Sequence, residues 1–313
     1  MSITISGGIT LNGGGWTIVA PPGGKKAIFG YGNNGTNQSM TNLVSNTGVV
    51  ATDTTGVGTD RRNLAASGYG TDKALFGYGA ITGGSGVTSI TNLVSNAGVV
   101  ATDTAGVGTA RQTLSGAGYG TDKAIFGYGI NESFSNVSMT NLVSNTGVVG
   151  TDVTGVGTAR RYLAAADYGT DKAIFGYGNA AGTQLSITNL VTNTGVVGND
   201  VTGIGTVRRE LAAATYGTDK AIFGYGYADI GPYVSMTNLV SNTGVVATDT
   251  TGVGTARSGL AAAGYSTDKA IFGYGTTGTN TSVTNLVSNT GVVATDTTGV
   301  GTARQLLAAA AYG

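Results

Sequence analysis

A single segment pattern recurs six times along the 313 residues. Ala-Ile-Phe-Gly-Tyr-Gly, with Leu75 once replacing Ile, ends at Gly32, Gly79, Gly129, Gly178, Gly226 and Gly275. Thr-Asn-Leu-Val begins at Thr41, Thr91, Thr140, Thr188, Thr237 and Thr284. A Gly-Thr-x-Arg segment ends at Arg61, Arg111, Arg160, Arg208, Arg257 and Arg304, and an apolar run opens three residues later at Leu64, Leu114, Leu163, Leu211, Leu260 and Leu307. Equivalent positions lie 47 to 50 residues apart. Self-similarity at that period marks a repeat architecture, in which each unit buries its apolar face on its neighbours. A chain of this length would otherwise be read as two domains.

Each unit reads as four short strands. Leu-Ala-Ala-Ala-x-Tyr-Gly is small and apolar, as the crowded innermost strand beside an axis must be. A Thr-Asp-Lys turn leads to Ala-Ile-Phe-Gly-Tyr-Gly, apolar on both faces and so packed on both sides. A variable loop precedes Ser-Met-Thr-Asn-Leu-Val-Ser. An Asn-Thr-Gly turn then leads to Val-Val-Ala-Thr-Asp-Thr-Thr. No stretch has helical periodicity, which excludes helical solenoids. Glycine numbers 56 and proline 3, without the triplet period of collagen. Four-stranded repeats of this size predict an all-β, six-bladed β-propeller over residues 25–313. The C-terminal strand from Leu307 should complete the first blade by pairing beside residues 27–32, which removes exposed sheet edges. Residues 1–24 are left over as an N-terminal arm. The alternation of Ile3, Ile5, Ile9 and Leu11 reads as a strand, and with Trp16, the one tryptophan, it reads as an anchor for another chain. The alternative is that Trp16 to Ala20 packs on the first blade.

Histidine and cysteine are both absent, which removes thiolate metal sites, imidazole acid–base chemistry and Ser-His-Asp machinery. Of 16 acidic residues, Asp53, Asp103, Asp152, Asp200, Asp249 and Asp296 recur in the fourth strand, and Asp72, Asp122, Asp171, Asp219 and Asp268 recur in the Thr-Asp-Lys turn. A catalytic dyad needs two carboxylates in different environments. Repetition instead assigns these to turns and to pairing with the repeat arginine. The expectation is no enzyme, no metal and no cofactor. Net charge is zero, and charged residues make up only 10% of the chain. Without basic clusters the chain is not expected to bind nucleic acid, and without a long apolar run it is not expected to insert into a membrane. The N-terminus lacks the basic and apolar regions of a secretory leader.

Variation among the repeats concentrates in two places. One is the loop between the second and third strands: 33–38, 80–88, 130–137, 179–185, 227–234 and 276–281. The other is the pair after the repeat arginine, such as Arg161-Tyr162 and Arg209-Glu210. In an up-and-down blade both connections emerge on one side, so one face is variable and the other constant. Loops on a rigid scaffold are the usual seat of recognition, and contact energy concentrates in aromatic and arginine anchors. Phe134, Tyr227, Tyr233, Tyr162, Arg161 and Arg209 are therefore the candidate contacts. Drift at tolerant loop tips would produce the same variation.

The order of features over residues 25–313 resembles the kelch family: an apolar strand ending in glycines, then an arginine that introduces the next blade. Two departures are evident. Tyr separates the two glycines, and the fourth strand lacks a tryptophan. The wording of the repeat, Asn-Thr-Gly-Val-Val-Ala-Thr-Asp-Thr-Thr-Gly-Val-Gly-Thr-Ala-Arg, resembles kelch-like proteins encoded by tailed bacteriophages. That resemblance implies a non-enzymatic virion structural protein, a tail or fibre appendage or a capsid decoration, made in the host cytoplasm. Its arm would dock on other virion proteins, and its propeller would meet a host surface glycan or protein. A carbohydrate-binding, lectin-like propeller is the alternative.

Overall fold

Every repeat folds into one three-stranded antiparallel sheet, with the apolar Phe-Gly segment as its central strand. The chain is all-β and β-propeller-like in class in the computed structural model, which describes residues 9–12, 15–18, 24–82, 86–229 and 232–313. The first strands are Ala65–Tyr69, Ser115–Tyr119, Ala164–Tyr168, Ala212–Tyr216, Ala261–Tyr265 and Ala308–Tyr312. The last of these pairs with Lys26–Asn33, near the other end of the chain, in the register Ala309↔Phe29. Side-by-side packing joins each first strand to two others: Ala65–Tyr69 touches both Ser115–Tyr119 and Ala308–Tyr312. Residues with small side chains occupy these strands because their backbones converge.

Period-two alternation explains why the central strands are apolar throughout. In Lys26–Asn33, Ile28 packs into a cluster with Phe76 and Val94 of the following repeat, whereas Ala27 and Phe29 pack with Ile271 and Tyr274 of the last repeat. All three side chains are fully buried. Six such clusters each span two sheets.

The Gly-Tyr-Gly segment is a bulge. Pairing in the first sheet shifts between Gly30 and Gly32, where Tyr31 has φ 64° and Gly32 φ 105°. A Cβ on Gly30 would lie 2.6 Å from the Phe76 ring, so this glycine lets the phenylalanine of the next sheet lie on the strand. A Cβ on Gly32 would meet the Gln305 carbonyl oxygen at 2.8 Å. The bulge turns Tyr31 inward, where its ring meets Phe76 at 5.0 Å. Tyr between the two glycines is thus a structural part, not an interruption.

The fourth expected strand is not a strand. Val-Val-Ala-Thr-Asp touches the third strand only at the isolated bridges Val44↔Val50 and Thr41↔Thr54. The cause is the buried Asn42 between them, whose side-chain Nδ2 donates to the Ala51 carbonyl at 3.0 Å and to Asp53 Oδ1 at 2.9 Å. A side chain has taken the Ala51 carbonyl that a ladder would use. At the N-terminus, Ile9–Asn12 and Gly15–Ile18 form an antiparallel pair in the register Leu11↔Trp16. Ile3 and Ile5 lie outside the described residues.

Phe126, fully buried, packs against the Tyr78 ring of the preceding sheet at 5.5 Å. Phe126→Ala should cost about 3–5 kcal/mol through transfer and cavity terms. Urea unfolding measures this, and a loss under about 1 kcal/mol would show that the inter-sheet contact is loosely packed.

Candidate functional site

Two layers of chemistry sit where the repeats meet, and only one of them is free to act on a ligand. The first is a buried joint. Arg111, fully buried, leaves the Gly-Thr-Ala-Arg connection and inserts between two sheets. Its guanidinium lies over the Tyr78 ring at 4.4 Å. Its Nε donates to the Tyr128 carbonyl at 2.9 Å, Nη1 to the Thr109 carbonyl at 3.0 Å and Nη2 to Asn141 Oδ1 at 2.6 Å. Burial lowers the guanidinium pKa, yet arginine stays charged in proteins. The π face of tyrosine and a carboxylate 3.9 Å away, Asp152, balance that charge. The Nε bond recurs at Arg160, Arg208, Arg257 and Arg304, and the stacking recurs at all six arginines.

Asp152 belongs to the same joint. The Thr109 amide donates to Oδ1 and Oδ2 at 3.1 and 3.0 Å, the Thr109 hydroxyl donates at 2.7 Å, and Asn141 Nδ2 donates at 2.9 Å. The set recurs at the other five positions, down to Thr302 on Asp53. Burial alone would push each carboxyl up. The threonine and asparagine hydrogen bonds outweigh it and hold all six below their ordinary value. These aspartates are acceptors with their lone pairs spent, not poised acids.

The second layer lies at the beginnings of the first strands. Asn63, Thr113, Tyr162, Glu210, Gly259 and Leu306 all have φ between 54° and 61°. Their backbones are hydrogen-bonded in sequence. Thr113 N–H donates to Asn63 O, Tyr162 to Thr113, Glu210 to Tyr162, Gly259 to Glu210, Leu306 to Gly259, and Asn63 to Leu306. With the leucines beside them they line a cavity of about 70 Å³. A larger cavity of about 250 Å³ lies among the first strands, walled by alanine, glycine and tyrosine. Lys73 and Lys123 at its rim are each paired with the preceding aspartate, at 2.8 and 3.0 Å.

The two variable segments meet here, as the strand connectivity predicts: Arg161 bridges Asn179, Arg209 pairs with Tyr227, and Ser258 bridges Thr276. Five of the six sequence candidates fall into one cluster. Arg161 lies 5.4 Å from the Tyr162 ring, and Arg209 lies 6.0 Å from the same ring and 5.2 Å from the Tyr227 ring. Tyr227 in turn meets Tyr233 edge-on at 5.6 Å. Burial raises the Tyr162 phenol, helped by the Glu210 carboxylate, while Arg161, Arg209 and Arg62 oppose the shift. Phe134 stands apart, 67% exposed on its own loop tip. Two further charges that act on the Tyr162 phenol, Arg62 and Glu210, are not among the candidate contacts, although Glu210 lies in the variable pair Arg209-Glu210. Both occupy the same post-arginine pair as Arg161 and Tyr162, and that equivalence was the available signal. On the Asn-Thr-Gly turns, Val49, Val99, Val148, Val196, Val245 and Val292 are each 61–66% exposed. No protein-family model matches the chain, and no curated protein matches its sequence.

A depressed carboxyl pKa contributes stability that is present above the unfolded value and lost as pH falls through the folded one. Thermal midpoints should therefore fall progressively below about pH 4, the ordinary aspartate range. Asp103→Asn should lower the midpoint at neutral pH and shrink the acid loss. Calorimetry from pH 7 to pH 2 checks this, and a flat profile would mean that these aspartates contribute nothing.

Proposed function

We propose that the six sheets close into a six-bladed, kelch-like β-propeller that serves as a non-enzymatic recognition module, carried as a structural component of a phage virion. One observation carries the recognition reading: side chains that differ among repeats assemble on one face into an arginine–tyrosine cluster, above a joint whose arginines are fully buried. Closure is supported by contacts between the ends of the chain. Arg304 donates to the Tyr31 carbonyl and to Asn42, and Thr302 donates to Asp53. The virion assignment rests on the phage-like wording of the repeat. In this reading residues 1–24 dock on other virion proteins, and the variable face meets the host surface.

The test is adsorption of purified protein to a panel of intact bacteria, run beside thermal melting. Tyr227→Ala combined with Tyr233→Ala should cut adsorption at least tenfold, in line with hot-spot losses of about 2 kcal/mol. The melting curve should barely move, because loop side chains add little to the core. Wild-type adsorption by the double variant would remove this face as the recognition surface.

A further inference from the structure

The chemistry of the cluster narrows what it can hold, granted the recognition reading above. Arg161 and Arg209 lie 5.4 and 6.0 Å from the Tyr162 ring, and the charges of Glu210 and Arg62 also reach its phenol through space. In the buried joint, backbone carbonyls and asparagines hold most of the guanidinium nitrogens, with Arg61 Nε and Arg160 Nη2 left without a partner. In the cluster, the Nε atoms of Arg62, Arg161 and Arg209 have no hydrogen-bond partner. Glu210 does not supply one: its Oε1 lies 3.8 Å from Arg209 Nε, and its Oε2 accepts from the Ser258 hydroxyl at 2.9 Å. Asp229 and Glu132 sit on neighbouring loops, yet among the described residues no ion pair joins them to these arginines. Tyrosine faces lie against Arg161 and Arg209, and only Arg209 has a carboxylate within ion-pair distance. The Arg209 side chain is 34% exposed although its Nε is covered, so its exposure falls on the rest of the side chain.

An uncommitted planar guanidinium matches a carboxylate with two parallel hydrogen bonds. Tyrosine offers an apolar ring face and a hydroxyl at the same spot. A sugar acid presents the complement: a carboxylate on a pyranose whose C–H face is apolar and whose hydroxyls are polar. We propose that Arg161, Arg209, Tyr162, Tyr227 and Tyr233 form a subsite for a carboxylate-bearing saccharide, with Arg62 adding long-range attraction. The guanidinium groups take the carboxylate, and a tyrosine ring packs on the sugar. The shallow, half-buried setting suits one or two sugar units of a surface polysaccharide.

The experiment is calorimetric titration of the whole chain with a galacturonate oligomer, its carboxyl-reduced counterpart and a sulfated neutral oligomer of equal length. The acidic oligomer should bind, and its carboxyl-reduced form should bind at least tenfold more weakly. Arg161→Gln with Arg209→Gln should abolish binding. Arg161→Lys with Arg209→Lys, which keeps the charge and loses the planar fork, should still weaken it at least tenfold. Lys172→Gln with Lys220→Gln, at the far ends of two first strands, removes the same two charges and should leave binding unchanged. Equal binding of the sulfated oligomer would replace carboxylate recognition with general anion attraction and overturn the proposal. So would no binding of any oligomer by a protein that still adsorbs to cells through Tyr227 and Tyr233. That outcome leaves the recognition reading standing and points to a protein ligand. Loss of both binding and adsorption would overturn the two together.

Discussion

A charged group placed in the seam between two sheets holds this fold together. Each repeat delivers one guanidinium into a joint closed to bulk solvent, and leaving that charge unmatched would be costly. The surrounding sequence supplies its partners: a tyrosine face, a tyrosine carbonyl, an asparagine oxygen and a nearby aspartate. The tyrosine reaches the arginine because the Gly-Tyr-Gly bulge turns it inward. The asparagine that accepts from the arginine also donates to the fourth segment and displaces a regular ladder there. Aspartate then ties the Gly-Thr turn of the preceding repeat. The most repetitive residues in the sequence are the most interdependent in space.

Much of this was legible beforehand. The six-fold recurrence, the doubly apolar central strand and the pairing of Ala308–Tyr312 with Lys26–Asn33 follow from spacing and phase. The fourth strand was misread because Val-Val-Ala-Thr-Asp has strand composition, while its fate is decided by a buried side chain on another segment. Propensity cannot see Asn42 or Asn141 competing for a carbonyl. The two variable segments could be placed on one side from connectivity. The gathering of Tyr162, Tyr227 and Tyr233 around Arg161 and Arg209 depends on side-chain directions that strand counting does not contain. Phe134, chosen by the same reasoning, lies outside that group.

The division of labour between the two arginines of a connection follows from their surroundings. Arg160 is wholly buried in a joint, and Arg161, the next residue, is half-buried in the variable cluster. Identical chemistry becomes framework in one position and a candidate contact in the other. Because the joint arginines are wholly buried and make their contacts within the frame, the face above them can change its side chains without disturbing it.

In the proposed ring, one joint, repeated six times, also unites the two ends of the chain. Arg304, near the C-terminus, makes its joint with Tyr31, Asn42 and Asp53, whereas Arg208 makes the same joint within the chain. Urea unfolding of Arg304→Met and Arg208→Met, each against wild type, compares the two directly. If the sheets close on themselves, the two substitutions lose the same unfolding free energy with unchanged cooperativity. If Arg304→Met unfolds like wild type while Arg208→Met is destabilised, the ends are not joined and the account fails.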